Sequence, residues 1–168
     1  MNPVRVLGID PGTRSTGYGL VEAVQGRIAY IASGCIRPAA GAMAERLGEI
    51  QAGISELIAA HGANQLAIEE VFMSRNPQAA LKLGQARGVA MATAVAAGLA
   101  VFEYAPRTVK KAVVGTGGAT KAQVQHMVRI LLNLRGGRLA ADAADALAIA
   151  ICHVNTASQD VGMADRNG

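Results

Sequence analysis

Two aspartates stand inside the most apolar run of the chain, and any fold must accommodate them. Asp142 and Asp145 interrupt Leu139 to Cys152, a stretch otherwise made almost wholly of alanine, leucine, isoleucine and cysteine with helical character. Two further acids occupy comparable places. Asp10 closes a β-rich run, Val4 to Ile9, and Glu69 closes another, Gln65 to Ile68. Carboxylates in such settings are costly unless something compensates them. A divalent cation does so effectively, and a carboxylate-bound ion of that kind usually serves phosphate chemistry.

Pattern and turn chemistry divide the rest of the chain. Asp10-Pro11-Gly12 is a turn. Thr16–Val24 and Arg27–Cys35 are strands joined at Gln25-Gly26, so the opening third is a three-stranded meander. Met43, Leu47, Ile50, Ile54, Leu57 and Ile58 recur at helical spacing and Gly62 stops the helix. Gln65–Glu69 is a strand, Pro77 to Ala97 a long helix with proline in its first turn, and Ala100–Tyr104 a fifth strand. Arg107–Val114 is a short helix, Thr120 caps another that runs to about Asn133, and Leu139 to about Val154 is the last. Strands alternate with helices after the meander, which predicts an α/β fold with a mixed sheet covered by helices. One domain is expected over residues 1–155, followed by a frayed polar tail over 156–168.

At 168 residues and 51% hydrophobic the chain can bury a real core. No leader peptide is apparent, and the longest uncharged stretch, Gly88 to Phe102, has 15 residues, short of the roughly 20 that span a bilayer. Cys35 and Cys152 read as buried thiols of a reducing cytoplasm. Residues 71–138 hold ten Lys/Arg and one acid, Glu103, whereas the remainder holds six Lys/Arg and eleven acids. That asymmetry suits a polyanion lying along one region while its reacting group reaches acids in another.

Strand carboxyl ends are where open α/β sheets bind ligands, so Asp10 and Glu69 could share one edge. Spacing alone leaves Glu69 and Glu70 open. Asp142 and Asp145, three apart on a helix, share a face. If that face lies over the sheet edge, four carboxylates gather, and their repulsion predicts bound Mg²⁺ or Mn²⁺. Two ions about 3.5–4 Å apart would activate a water and screen the leaving oxygen of a phosphodiester. His126 and His153 read as structural histidines, no Cys/His set has zinc spacing, and no P-loop follows the first strand.

The blocks Leu-Gly-Ile-Asp10-Pro-Gly-Thr-Arg-Ser-Thr-Gly-Tyr-Gly, Ala-Ile-Glu69-Glu-Val-Phe72, Ala-Leu-Lys-Leu-Gly-Gln-Ala-Arg87-Gly-Val-Ala and Asp142-Ala-Ala-Asp145-Ala-Leu-Ala-Ile-Ala together resemble the RuvC family of Holliday-junction resolvases. The resemblance covers residues 4 to 153. It implies an RNase H-like fold, a five-stranded mixed sheet whose first three strands are antiparallel and whose later ones are parallel. It also implies a homodimer that nicks four-way DNA junctions in pairs with Mg²⁺, two ions per site, or with Mn²⁺ in its place. The products would carry a 5′-phosphate and a 3′-hydroxyl. The family's acids map onto Asp10, Glu69, Asp142 and Asp145, which selects Glu69 over Glu70. Its phosphate-contacting lysines map onto Lys110 and Lys121, with Lys111 beside the first. Phe72 matches an aromatic that stacks on a base near the crossover, and Arg75 joins these candidate DNA contacts. Kinship further implies RuvA and RuvB as branch-migration partners. A competing class, the actin and sugar-kinase ATP-binding proteins, shares the strand-Asp-turn but needs two such domains. A non-catalytic junction-binding module would be expected to lack the acids.

Overall fold

The structure, a computed structural model, describes residues 3–71 and 75–164, with side chains to residue 157. Ten elements follow one another: β1 (Val4–Asp10), β2 (Thr16–Val24), β3 (Arg27–Ile36), α1 (Met43–His61), β4 (Gln65–Glu69), α2 (Pro77–Ala96), β5 (Ala100–Tyr104), α3 (Pro106–Val114), α4 (Lys121–Leu131) and α5 (Ala141–Ala164). The five strands form one sheet in the order β3-β2-β1-β4-β5. β1, β2 and β3 pair antiparallel, while β4 lies parallel to both β1 and β5. This is the mixed five-stranded sheet expected from the sequence.

Alternation along the strands sorts side chains onto two cores. Leu7, Ile9, Leu20, Leu66 and Ile68 pack with Ile50, Ile54 and Ile58 of α1 and Ala86, Ala90 and Ala94 of α2. Val6, Val21 and Ala67 face the other way, onto Val109 and Val113 of α3, Val124 and Val128 of α4, and the apolar face of α5. Asp10 stands four residues after Val6 and Glu69 two after Ala67. Both therefore share the face that α5 covers, and Glu70 does not.

Three glycines let α5 lie directly on the sheet. Gly8 and Gly19 are cross-strand partners. A Cβ on Gly8 would come 2.1 Å from the Ala146 carbonyl oxygen, one on Gly17 2.1 Å from that of Asp142, and one on Gly19 2.6 Å from Leu147. The backbone contact seats the first turn of α5, with its two aspartates, over the carboxyl end of β1.

α5 differs from expectation at both ends. It begins at Ala141 rather than Leu139, and it continues to Ala164 rather than ending near Val154. Polarity was the wrong signal there. No proline intervenes, and Thr156 satisfies its hydroxyl on the Cys152 carbonyl one turn back (2.9 Å), as a helical residue does.

Candidate active site at the sheet edge

Asp10, Asp142 and Asp145 converge. Each offers a carboxylate oxygen, and the three oxygens lie within 4.8 Å of one another. The turn after β1 is fixed by the buried Thr16, whose hydroxyl donates to the Gly12 carbonyl (2.7 Å) and accepts from the Gly12 N–H (3.3 Å). The same loop supplies Ser15, which donates to Asp142 Oδ2 at 2.8 Å.

Glu69 is not part of this close triad. It lines an adjoining cleft of about 290 Å³ together with Asp145, Lys110 and Lys121. Glu70 is exposed and bounds, with Asp10 and Glu69, a neighbouring hollow. Lys121 Nζ pairs with Asp145 Oδ2 at 2.9 Å. That bond raises the lysine's affinity for its proton above the ordinary value. Of the two adjacent lysines on α3, Lys110 faces the cleft and Lys111 is exposed outside it.

The acids feel one another. Burial, reinforced by Asp145, Asp142 and Glu69, pushes the Asp10 carboxyl up to about 7, against the pull of Lys121. Glu69 is likewise raised by burial and by Asp145, with Lys110 and Lys121 opposing. A single lysine bond therefore leaves the centre with unbalanced negative charge. Hard carboxylate oxygens gathered at this spacing could hold a divalent metal ion.

Arg87 braces the end of β4 from the α2 side of the sheet. From α2 its Nε donates to the Glu69 backbone carbonyl (3.2 Å) while its guanidinium pairs with Glu103 on β5. It therefore ties the last residue of β4 to its neighbour strand. The sequence signal for it was faint: a lone arginine on a helix of small residues, and the one acid in an otherwise basic stretch. Ser15 had no sequence signal, because a serine in a turn has many uses.

His153 is buried and fully bonded. Tyr104 donates to its Nδ1 (2.6 Å), its Nε2 donates to Gln65 Oε1 (2.7 Å), and Phe102 lies against its ring. Burial lowers its proton affinity, so it is a neutral strut between β4, β5 and α5 rather than a ligand. His126 is exposed on α4. Arg75 is exposed just before α2, and Phe72 lies outside the described residues.

The fold and this site define a class: an RNase H-like domain with a carboxylate centre at the edge of its sheet. Comparison with known proteins narrows it. The family model for crossover junction endodeoxyribonuclease RuvC matches residues 6–153. The RuvC endonuclease of Dichelobacter nodosus is 56% identical over 151 residues, covering 90% of this chain and 85% of that one. That of Serratia proteamaculans is 56% identical over 160 residues, covering 95% and 92%. Among solved structures, Thermus thermophilus RuvC in complex with a Holliday junction substrate superposes with a TM-score of 0.87 at 35% identity, covering 94% of this chain and 96% of that one. The yeast mitochondrial Holliday junction resolvase shares the fold, with a TM-score of 0.70 at 15% identity, covering 93% of this chain and 80% of that one. The chain belongs to the RuvC family of crossover junction endodeoxyribonucleases.

Proposed function

We infer that this protein is a structure-specific endodeoxyribonuclease that resolves four-way DNA junctions by paired, symmetric, metal-dependent nicks during recombination and repair. The observation that carries the reading is the convergence of the Asp10, Asp142 and Asp145 oxygens within 4.8 Å beside a lysine-lined cleft, in a chain of this family. Asp10, Asp142 and Asp145, with Glu69 across the cleft, would hold Mg²⁺, with Mn²⁺ as a substitute and two ions per site. Bound there, the metal supplies charge neutralisation at the phosphodiester and acidifies the attacking water.

The chain's own groups do the rest. Lys110 and Lys121 draw the phosphodiester into the cleft and hold it against Glu69 and Asp145. Lys121 spans both tasks, because it pairs with Asp145 and still exposes two-thirds of its side chain (66%) to an incoming strand. Ser15 and Arg87 fix the directions of Asp142 and of the Glu69 backbone, which keeps the acids preorganised. Lys111, Arg75 and Phe72 would extend the DNA contact beyond the cleft. The product ends would be a 5′-phosphate and a 3′-hydroxyl.

A symmetric substrate calls for two equivalent sites, so the working form is a C2 homodimer. α2 supports this: its inner face is small residues, while Leu81 and Val95 stay 70% and 64% exposed. RuvA and RuvB are the partners that kinship suggests. Kinship with a DNA-processing family suggests the cytoplasm as the compartment, and among the described residues no helix is long and apolar enough to cross a membrane.

The test is substitution of each acid by its amide. Asp10→Asn, Asp142→Asn and Asp145→Asn should each bind a four-way junction as the parent does and cleave it at least a hundredfold more slowly, an order of magnitude in line with loss of a metal or electrostatic group. Near-native cleavage by Asp10→Asn would overturn the assignment.

A further inference from the structure

A second basic group stands on the same sheet edge, across the acids from Lys110 and Lys121. Asp10 pairs with Gly17, Thr16 with Ile36, and Glu69 with Tyr104. Crossing this edge therefore meets the end of β3, the start of β2, Asp10, Glu69 and the end of β5 in turn. With strands about 4.8 Å apart, the two outer ends are roughly 19 Å apart. Beyond β5, α3 brings in Lys110. Beyond β3, residues Pro38 to Ala40 lie against Thr13, Arg14 and Arg46, enclosing a hollow of about 300 Å³.

Arg14 belongs to the loop that joins Asp10 to Ser15, so it is tied directly to the acidic centre. It is exposed, Arg46 is half-buried, and neither has an ion-pair partner among the described residues. The acids nearest Arg46 in sequence are engaged by backbone: Glu49 accepts from the Ala39 N–H (3.0 Å) and Glu45 from the Ala42 N–H (3.2 Å). The hollow is thus lined by two arginines and a threonine, residue types whose donors match phosphate oxygens. Charge bookkeeping along the sequence hides it, because both arginines fall in the acid-rich remainder of the chain.

We propose that Arg14 and Arg46 form a second backbone-phosphate site, which holds the DNA strand on the side of the acids opposite Lys110 and Lys121. The proposal rests on the nuclease reading and adds to it the path of the strand, across the sheet edge from β5 to β3. A DNA strand advances about 3.4 Å per nucleotide, so the edge spans about six of them. With the lysines on the phosphodiester at the acids and the arginines on the strand beyond it, the strand cannot swing about a single anchor, and that phosphodiester stays over the carboxylates.

The experiment is junction binding without metal across a salt series. Each lost phosphate contact lowers the slope of log affinity against log salt by about 0.7–0.9. Arg14→Ala and Arg46→Ala should each lower it by that amount, the double variant by twice as much, and affinity should fall severalfold per substitution. Arg14→Lys and Arg46→Lys should keep the slope, because the charge remains. Lys121→Ala should flatten it, and Arg27→Ala, at the opposite edge of the sheet, should not. A double variant with the parent slope beside a flattened Lys121→Ala would overturn the second site and leave the nuclease reading standing. Slopes unchanged in all of them would overturn both. Loss of slope in the lysine variants would show that folding, not phosphate contact, had been disturbed, and would also overturn the proposal.

Discussion

Asp10 carries the site's electrostatic strain. Its carboxyl is raised from 3.8 to about 7 by burial and by three neighbouring acids. In metal-free protein, between about pH 4 and pH 7, the folded state keeps a proton that the unfolded chain has released. Asp10 therefore contributes stability that falls as pH rises through that window and levels off above it, while His153, whose proton affinity burial lowers, contributes in the opposite sense. Asp10→Asn should abolish most of that slope and melt higher than the parent at pH 8 in EDTA, as measured by thermal unfolding. A parent and an Asp10→Asn variant whose stabilities run parallel from pH 4 to pH 7 would contradict this ordering of charges. At this scale the sequence was generous with the acids and sparing with their supports. Carboxylates ending apolar strands and interrupting an apolar helix announce their cost. The groups that steer them, Ser15 on Asp142 and Arg87 on the Glu69 carbonyl, act across 127 and 18 residues of chain, and nothing local marks such a pairing.

Among the elements, α5 decides whether there is a site at all. Its aspartates reach the sheet edge because Gly8, Gly17 and Gly19 leave no side chain between helix and strands. Gly8→Ala would place a Cβ 2.1 Å from the Ala146 carbonyl oxygen. Overpacking of this kind costs about 1–3 kcal/mol, and here the helix must lift or slide to relieve it. We expect a lower urea midpoint and a cleavage rate that falls further than stability does, because the three carboxylates no longer converge. Unchanged stability would mean that helix and strand are not in contact at Gly8. The same element shows what periodicity can and cannot deliver. Apolar spacing located α5 and its aspartates, but polarity past Val154 suggested a helix end where the helix continues to Ala164. The Glu69 and Glu70 choice was likewise closed to spacing. It turned on which face of β4 the helix covers, a fact that exists only once the strands have paired.

For the whole molecule, strand count and the order of helices were legible, because alternation and turn residues report them locally. The order β3-β2-β1-β4-β5 was not, since pairing between β1 and β4 joins segments separated by a hairpin and a helix. That order creates the function's geometry: it sets β1 and β4 side by side, brings their carboxyl ends to one edge, and leaves basic groups at either end of it. The account stands on metal-dependent nicking of a branched substrate by this edge. Its most direct test is incubation of the purified protein with a four-way junction in the presence and absence of Mg²⁺, with excess linear duplex as competitor. We predict paired, symmetric, ligatable nicks only when Mg²⁺ is added, undiminished by the competitor. Cleavage that persists in EDTA, or an intact junction at saturating Mg²⁺, would contradict it.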